Sequence, residues 1–511
     1  MTSMQMDDKQ RVKGISSAFP FTLIFLTVIA LSLGAGMLIP AITYSKLGTE
    51  LWTISHDLIG PAFWGWIIGA IVMALIILLR LDELAATFVI VVHLYVDWYL
   101  GVPVVGMTVV GEIAALMFLF AFFLARSPRH PWVKPPALWL WILFLVLAIF
   151  PAIRGATNFI DAAYYYPNVI FGALTTFCLG TVIARDSASV RRLFSMLACF
   201  ATLIAAHTII EAVTGVSLLA TQNQQAFLAS KSNYQLISGS DIDRVGSFFT
   251  DPNWDGVFLG MMLFISLGLF FESSSLPGRA LYLAEVLLIL PALLFTYSAG
   301  AWIAAIAGMI TLVIVIGRAR YSVLLLLFCI AAAILLSVVF PLQTALLLQH
   351  ANNPSEASLR IGAWQTAVRV IAAFPLTGVG LGLQTYLLDA NPYRVPAQYI
   401  PLAHPHNSYL ELGAMGGLPM LLVFIALLSM ALWLALRNWR LADVRTRILL
   451  GGGIAAVSAL SINSLTINGW TLPPLAATGW LILGVISSPL LAQKRKSTSE
   501  QVKNNNTTSY F

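Results

Sequence analysis

Residues 299–317 read AGAWIAAIAGMITLVIVIG, nineteen positions without a charged side chain, and Arg318 and Arg320 follow at once. As a helix, an uncharged apolar run of this length crosses the ~30 Å hydrocarbon core of a bilayer, and a basic cluster at its end marks the side that stays in the cytoplasm. Comparable runs recur along the 511 residues: Ala18 to Ile42, Pro61 to Leu79, Leu84 to Trp98, Val102 to Ala125, Ala137 to Ile153, Tyr164 to Ala184, Leu193 to Thr214, Asn253 to Phe271, Ala280 to Thr296, Tyr321 to Leu348, Ser408 to Leu436, Ile448 to Leu465 and Leu472 to Ala492. With Ala299 to Gly317 they predict fourteen spans. The expected fold class is an all-α polytopic membrane protein.

Composition excludes the alternatives. Apolar residues make up 59% of the chain and charged residues 10%, against about 25% charged in a soluble domain, so a water-soluble globular protein is ruled out. Cys178, Cys199 and Cys329 all fall inside apolar runs, where they read as small core residues rather than disulfides or metal thiolates. The net charge of +6 sits in short clusters beside the runs. Such clusters orient spans and do not form a nucleic-acid surface.

Placing the N-terminus inside leaves only Lys46, Arg154, Lys231, Arg244, Arg360, Arg369 and Arg394 of the 28 basic residues outside. That bias matches the resistance of basic loops to translocation. The chain then divides into a cytoplasmic segment 1–17, a membrane scaffold 18–214, a candidate catalytic region 215–419, C-terminal spans 420–492 and a disordered tail 493–511. Two outer segments are long, Gly215 to Pro252 and Gln349 to Asn407, and long loops are where function concentrates. In the second, Asn353-Pro354-Ser355-Glu356 is a helix start, after which Ile361, Trp364, Val368 and Ile371 recur at helical spacing. This is an amphipathic helix lying on the outer membrane face.

Three outer residues stand in distinctive local sequence. Arg244 opens Arg-Val-Gly-Ser-Phe-Phe-Thr-Asp-Pro-Asn253, directly before a span, where a guanidinium can grip a phosphate at two points. Arg360 lies on the amphipathic helix four residues before Trp364. Its simpler role is an interfacial anchor reaching lipid phosphate, a role that fits Arg369 better still. His406 sits in Pro405-His406-Asn407-Ser408-Tyr409-Leu410-Glu411, just ahead of a span capped by Asn407 or Ser408. A positive helix terminus keeps such an imidazole neutral and available as a base. His404 reads as a loop histidine bonded to backbone. Thr377-Gly378-Val379-Gly380-Leu381-Gly382 superficially matches a nucleotide loop, but no strand precedes it and the glycine spacing is incomplete. These glycines serve a tight turn. Within the runs, His93 with Asp97, Glu112, and His207 with Glu211 are ionisable groups at membrane depth, which support an alternative function as a proton-coupled transporter.

In order, the chain presents Arg-x-Gly-x-Phe-x-x-x-Pro-Asn, then Arg360 with Trp364, then Pro-Leu-Thr-Gly-Val-Gly-Leu-Gly, then His-Asn-Ser-Tyr-Leu-Glu-x-Gly at the head of a span. From about Arg244 to Pro419 this resembles the O-antigen ligase and O-antigen polymerase superfamily of bacterial envelope glycosyltransferases. The resemblance implies transfer of a glycan from a polyprenyl-diphosphate carrier to an acceptor hydroxyl of a glycan, lipid or protein. It places that reaction on the outer face of the cytoplasmic membrane, without nucleotide sugar, cofactor or metal. By the same likeness Arg244 and Arg360 would bind the diphosphate and His406 would activate the acceptor, with Arg369, Asn253, Trp364 and Asn407 in support. One element departs from the pattern. Members often carry Ser-Arg-Gly at the outer end of a mid-chain span, and here Tyr297-Ser298-Ala299-Gly300 puts alanine in the place of that arginine.

The charge partition predicts that single cysteines at Ser232 and Asn391 react with a membrane-impermeant thiol reagent in intact cells. Labelling of either only after lysis would overturn the arrangement.

Overall fold

The computed structural model describes residues 82–91, 93–94, 135–154, 161–162, 165–215, 244–316 and 319–491. Three expected spans, Ala18 to Ile42, Pro61 to Leu79 and Val102 to Ala125, lie outside the described residues, as do Asp97, Glu112 and the segment 493–511. The described residues are all-helical and contain no strand. In chain order the helices are α1 (Asp82–Val91), α2 (Leu138–Arg154), α3 (Tyr166–Ile183), α4 (Ser187–Thr214), α5 (Pro252–Glu272), α6 (Leu276–Phe295) and α7 (Ala299–Ile316). There follow α8 (Ala319–Val339), α9 (Pro341–Ala351), α10 (Pro354–Ala373), α11 (Leu383–Asp389), α12 (Ser408–Leu441), α13 (Val444–Asn463) and α14 (Pro473–Ser487). Among the described residues seven helices are long and apolar enough to cross a membrane, or eight if the bent pair α8–α9 is one span. The protein is a multi-pass membrane protein.

Polar caps set the helix boundaries. Asp186, Asp251, Ser275, Asn353, Asn407 and Asp443 each accept a backbone N–H from the first turn of α4, α5, α6, α10, α12 and α13, satisfying donors that have no partner inside the helix. The Asp186 cap starts α4 at Ser187, six residues before the apolar run expected from Leu193. The expected span Tyr321 to Leu348 is corrected: α8 and α9 meet at a 107° bend. Pro341 lacks the N–H that would continue the helix, and Phe340 before it is non-helical at φ −126°, ψ 60°.

α5 is buried on nearly every side and packs on α13, with the Cα of Gly452 close against Gly268, as small residues allow between membrane helices. Trp141, Phe177, Phe424, Trp470 and Trp480 tie α2, α3, α12 and α14 together, with Trp480 centred 4.9 Å from both Trp141 and Trp470. At one end of the bundle Arg185 pairs with Asp82, Arg192 with Glu83 and Arg191 with Glu272. The opposite end carries Arg154, Arg244 and Arg360. Among the described residues this separation follows the inner and outer charge sets.

The end that carries Arg154, Arg244 and Arg360 is built on a broken helix. At Gly417, φ 80° and ψ 171° interrupt α12, and Pro419 follows. A proline cannot donate to the carbonyl four residues back, and here the carbonyls of Ala414 and Met415 accept instead from Val379 (2.9 Å) and Gly380 (3.0 Å). Leu418 N–H returns a bond to the Pro375 carbonyl at 2.7 Å. The glycine-rich segment after α10 is thus a backbone splice to α12, and its N–H groups are used on protein. It needs glycine at Gly378, where φ is +61° and a Cβ would stand 2.3 Å from the Met415 carbonyl carbon. Arg154 secures the splice from α2, donating to Thr377 Oγ1 at 2.7 Å and lying 4.3 Å over the Phe374 ring.

The amphipathic helix is α10, with its start at Pro354. Its packed face differs from the expected apolar one: Gly362, Ala363, Thr366, Ala367 and Val370 are buried, whereas Ile361 and Val368 are 48% and 54% exposed. The small residues let α10 press on the protein, and a Cβ at Gly362 would meet the Gln398 N–H. Of the larger apolar residues, Ile361 and Val368 stay uncovered by the protein, while Ile371 packs against the core and Trp364 is half-buried.

Gly378→Ala is expected to destabilise the detergent-solubilised protein by about 2–4 kcal/mol, since it combines strained backbone with a backbone clash. Gly215→Ala, at φ +67° with nothing within 4 Å, should cost only about 1–2 kcal/mol. Thermal melts compare the two. Equal losses would contradict the splice.

Candidate active site

Arg244 is buried at the turn that enters α5. Its Nε donates to the Thr296 carbonyl at 3.1 Å and a terminal nitrogen to Asn253 Oδ1 at 2.8 Å. Asn253 Oδ1 also accepts from Ser298 Oγ at 3.0 Å. Two of five guanidinium N–H groups are therefore spent on orientation, and the others remain for a ligand. Burial lowers the guanidinium pKa and nearby Arg360 adds to the shift, while Asp251 and Glu356 oppose it. The group stays a cation, because an arginine begins from above 12.

The turn is clamped from below by α4. Ser247 N–H donates to Glu211 Oε2 at 2.8 Å, and Ser247 Oγ is 2.8 Å from His207 Nδ1. The His207 ring stacks on Phe248 with centroids 4.2 Å apart. His207 and Glu211, expected as transporter candidates, are thus committed to the segment carrying Arg244. The other histidine of that alternative, His93, is buried with Nδ1 3.0 Å from the Val89 carbonyl, inside its own helix turn.

Arg360 projects from α10 beside Glu356, 3.7 Å away, and Glu356 Oε1 lies 3.4 Å from His350 Nε2 at the end of α9. Arg360 also depresses the pKa of His406, so Arg244, Arg360 and His406 fall within one electrostatic neighbourhood. His406 stands two residues before α12 at φ +49°. Its N–H donates to His404 Nδ1 at 3.2 Å, so His404 is bonded to backbone as expected and helps hold the unusual conformation of its neighbour. Withdrawal from water lowers His404 to about 4, against a smaller opposing effect of Asp251. It lowers His406 well below its ordinary value, helped by His404 and Arg360. Both imidazoles are neutral at pH 7.

Of the five non-glycine residues with positive φ among the described residues, Ser247, Thr250, Tyr297 and His406 flank these groups, and only Ala137 lies elsewhere. Backbone held in a costly region collects at working sites because surrounding structure must over-determine it. Burial raises the Tyr297 hydroxyl to about 12, so it remains a donor.

The supporting residues separate. Asn253 positions Arg244, as its two bonds show. Asn407 is spent as the α12 cap, accepting from Tyr409 and Leu410 and donating to the Leu465 carbonyl at 2.9 Å. Trp364 has a buried indole N–H with no hydrogen-bond partner among the described residues. Arg369 is exposed and nine residues from Arg360, about half a turn around α10 at 100° per residue, so α10 turns it away from Arg360. Ser298, beside the position that lacks the arginine, bonds the residue that orients Arg244. Sequence reasoning missed His350 and Glu356, because an imidazole at a helix end and a glutamate in a first turn have ordinary structural explanations. The short turn between α9 and α10, through Asn352 and Asn353, brings them together.

Residues 284–425 match the sequence model of a family described as O-antigen ligase, which supports placing this stretch in the O-antigen ligase and polymerase superfamily. The matched stretch contains Arg360, the glycine-rich splice and His406, and begins after Arg244. It implies a glycosyl-transferring membrane enzyme that takes a lipid-linked glycan donor and an acceptor. No curated protein matches the chain.

The depressed histidines carry a pH consequence. Groups whose folded pKa lies below the unfolded ~6.5 bind fewer protons when folded. Their contribution to stability is full above pH 6.5 and is lost as pH falls toward about 4. ¹⁵N-histidine spectra should show His404 titrating near 4. A midpoint at 6.5 would contradict the enclosed site.

Proposed function

We propose that the protein transfers a glycan from a polyprenyl-diphosphate carrier to an acceptor hydroxyl, with Arg244 and Arg360 gripping the diphosphate and neutral His406 acting as general base on the outer face of the cytoplasmic membrane. The observation that carries this reading is the meeting of a buried, pre-oriented guanidinium, a second guanidinium and a neutral imidazole at one end of the bundle. Each answers one need of the reaction. A diphosphate leaving group requires charge neutralisation where negative charge grows, and two planar cations supply it with two-point geometry. An acceptor hydroxyl is a weak nucleophile until a base removes its proton.

In the proposed step the acceptor oxygen bonds to the anomeric carbon as the bond from that carbon to the phosphate oxygen breaks. The hydroxyl proton passes to the His406 imidazole. The electron pair leaves on the polyprenyl diphosphate, whose charge is matched by guanidinium, so the leaving group needs no proton. A single displacement inverts the anomeric configuration. Ligase and polymerase chemistry share this step and differ in the acceptor.

His406→Ala should still bind donor and transfer about 10²- to 10⁴-fold more slowly. Arg360→Lys should lose donor affinity although it keeps the charge, because one ammonium does not reproduce the planar grip. Binding is followed with labelled lipid-linked glycan and transfer by gel shift of the acceptor, with EDTA present throughout. Loss of donor binding in folded His406→Ala would reassign that histidine to the phosphate seat, and transfer that stops in EDTA and returns with a divalent cation would refute the guanidinium scheme.

A further inference from the structure

Glu356 sits one helical turn before Arg360, with Oε2 3.7 Å from the Arg360 guanidinium and Oε1 3.4 Å from His350 Nε2. It therefore bridges α9 and α10. His350 is buried, and its other ring nitrogen has no hydrogen-bond partner among the described residues. Arg244 lies within electrostatic reach of the same carboxylate. An anion so placed is costly for a seat that must receive a diphosphate, since like charges a few ångströms apart repel. It also resembles the ligand: two oxygens presented to a guanidinium are the edge a phosphate presents.

We propose that Glu356 is a positioning residue that occupies the anion seat of Arg360 in the unloaded protein, yields it to the first phosphate of the arriving donor, and stays tethered to His350 when displaced. This rests on reading Arg244 and Arg360 as the diphosphate seat. Both contacts are longer than the 2.7–2.9 Å of a strong charge-assisted hydrogen bond. The Glu356 and Arg360 side chains are 39% and 28% exposed, so the pair is of the weak, easily exchanged kind. A doubly charged ligand gripped at two points displaces it, whereas a singly charged one gains little by the exchange. The carboxylate thus aligns Arg360 in advance and favours diphosphate over less charged lipids.

The test uses full-length protein in detergent and calorimetric binding of farnesyl diphosphate, farnesyl monophosphate and farnesol to wild type, Glu356→Gln and Arg360→Ala. Glutamine keeps the length and the polar contacts and removes only the charge. Glu356→Gln should bind farnesyl diphosphate about two- to tenfold more tightly, gain less for the monophosphate and leave farnesol unchanged. A change common to all three ligands would mark a merely structural role and overturn the inference. So would unchanged or weaker diphosphate binding in Glu356→Gln while Arg360→Ala weakens it, an outcome that leaves the diphosphate seat standing. If Arg360→Ala binds farnesyl diphosphate as well as wild type does, the seat itself fails and the inference with it.

Discussion

The end of the bundle that carries Arg244, Arg360 and His406 depends on four backbone groups in two chain segments. α12 breaks at Gly417, its Ala414 and Met415 carbonyls lose their helical partners, and the N–H groups of Val379 and Gly380 take those places at 2.9 and 3.0 Å. Buried in a membrane protein, such carbonyls would each cost several kcal/mol if left unmet. The splice therefore fixes how α10 lies against α12. Arg360 is carried by the first and His406 is held just ahead of the second, so a bond pattern made entirely of backbone sets the relation of the two side chains to which the proposed chemistry is assigned.

Arg244 reaches the same place by a different route. Its guanidinium is spanned by Thr296 and Asn253, its turn is clamped by Glu211 and His207, and Ser298 supports Asn253. Both acceptors of the guanidinium, the Thr296 carbonyl and the Asn253 amide oxygen, are uncharged, and Glu211 bonds backbone and not the guanidinium. A cation oriented by carbonyls and an amide is aligned without being neutralised, the state in which it attracts an anion most strongly.

Much of this was legible in the sequence, for identifiable reasons. Span length and basic flanks report directly on the bilayer, and the caps at Asn353 and Asn407 are local signals, so α10 and the head of α12 fall where expected. The motifs around Arg244, Arg360 and His406 mark residues that share an electrostatic neighbourhood. Sequence pattern failed where geometry is non-local. Ile361, Trp364, Val368 and Ile371 have helical spacing, yet the packed face is Gly362, Ala363, Thr366, Ala367 and Val370, because close approach selects small residues rather than large apolar ones. Tyr321 to Leu348 has continuous hydropathy, and one proline bends it by 107°. His350 meets Glu356 across the short turn from α9 to α10, a contact that periodicity within one helix does not describe.

The central claim is that two guanidinium groups and a neutral imidazole receive a lipid-linked diphosphate at this end of the bundle. Cryo-electron microscopy of the full-length protein in nanodiscs with a non-hydrolysable polyprenyl-diphosphate sugar tests it most directly. The account predicts density for both phosphates between Arg244 and Arg360, with the anomeric carbon facing His406. Diphosphate density at the opposite end of the bundle, among Arg185, Arg191 and Arg192, would contradict it.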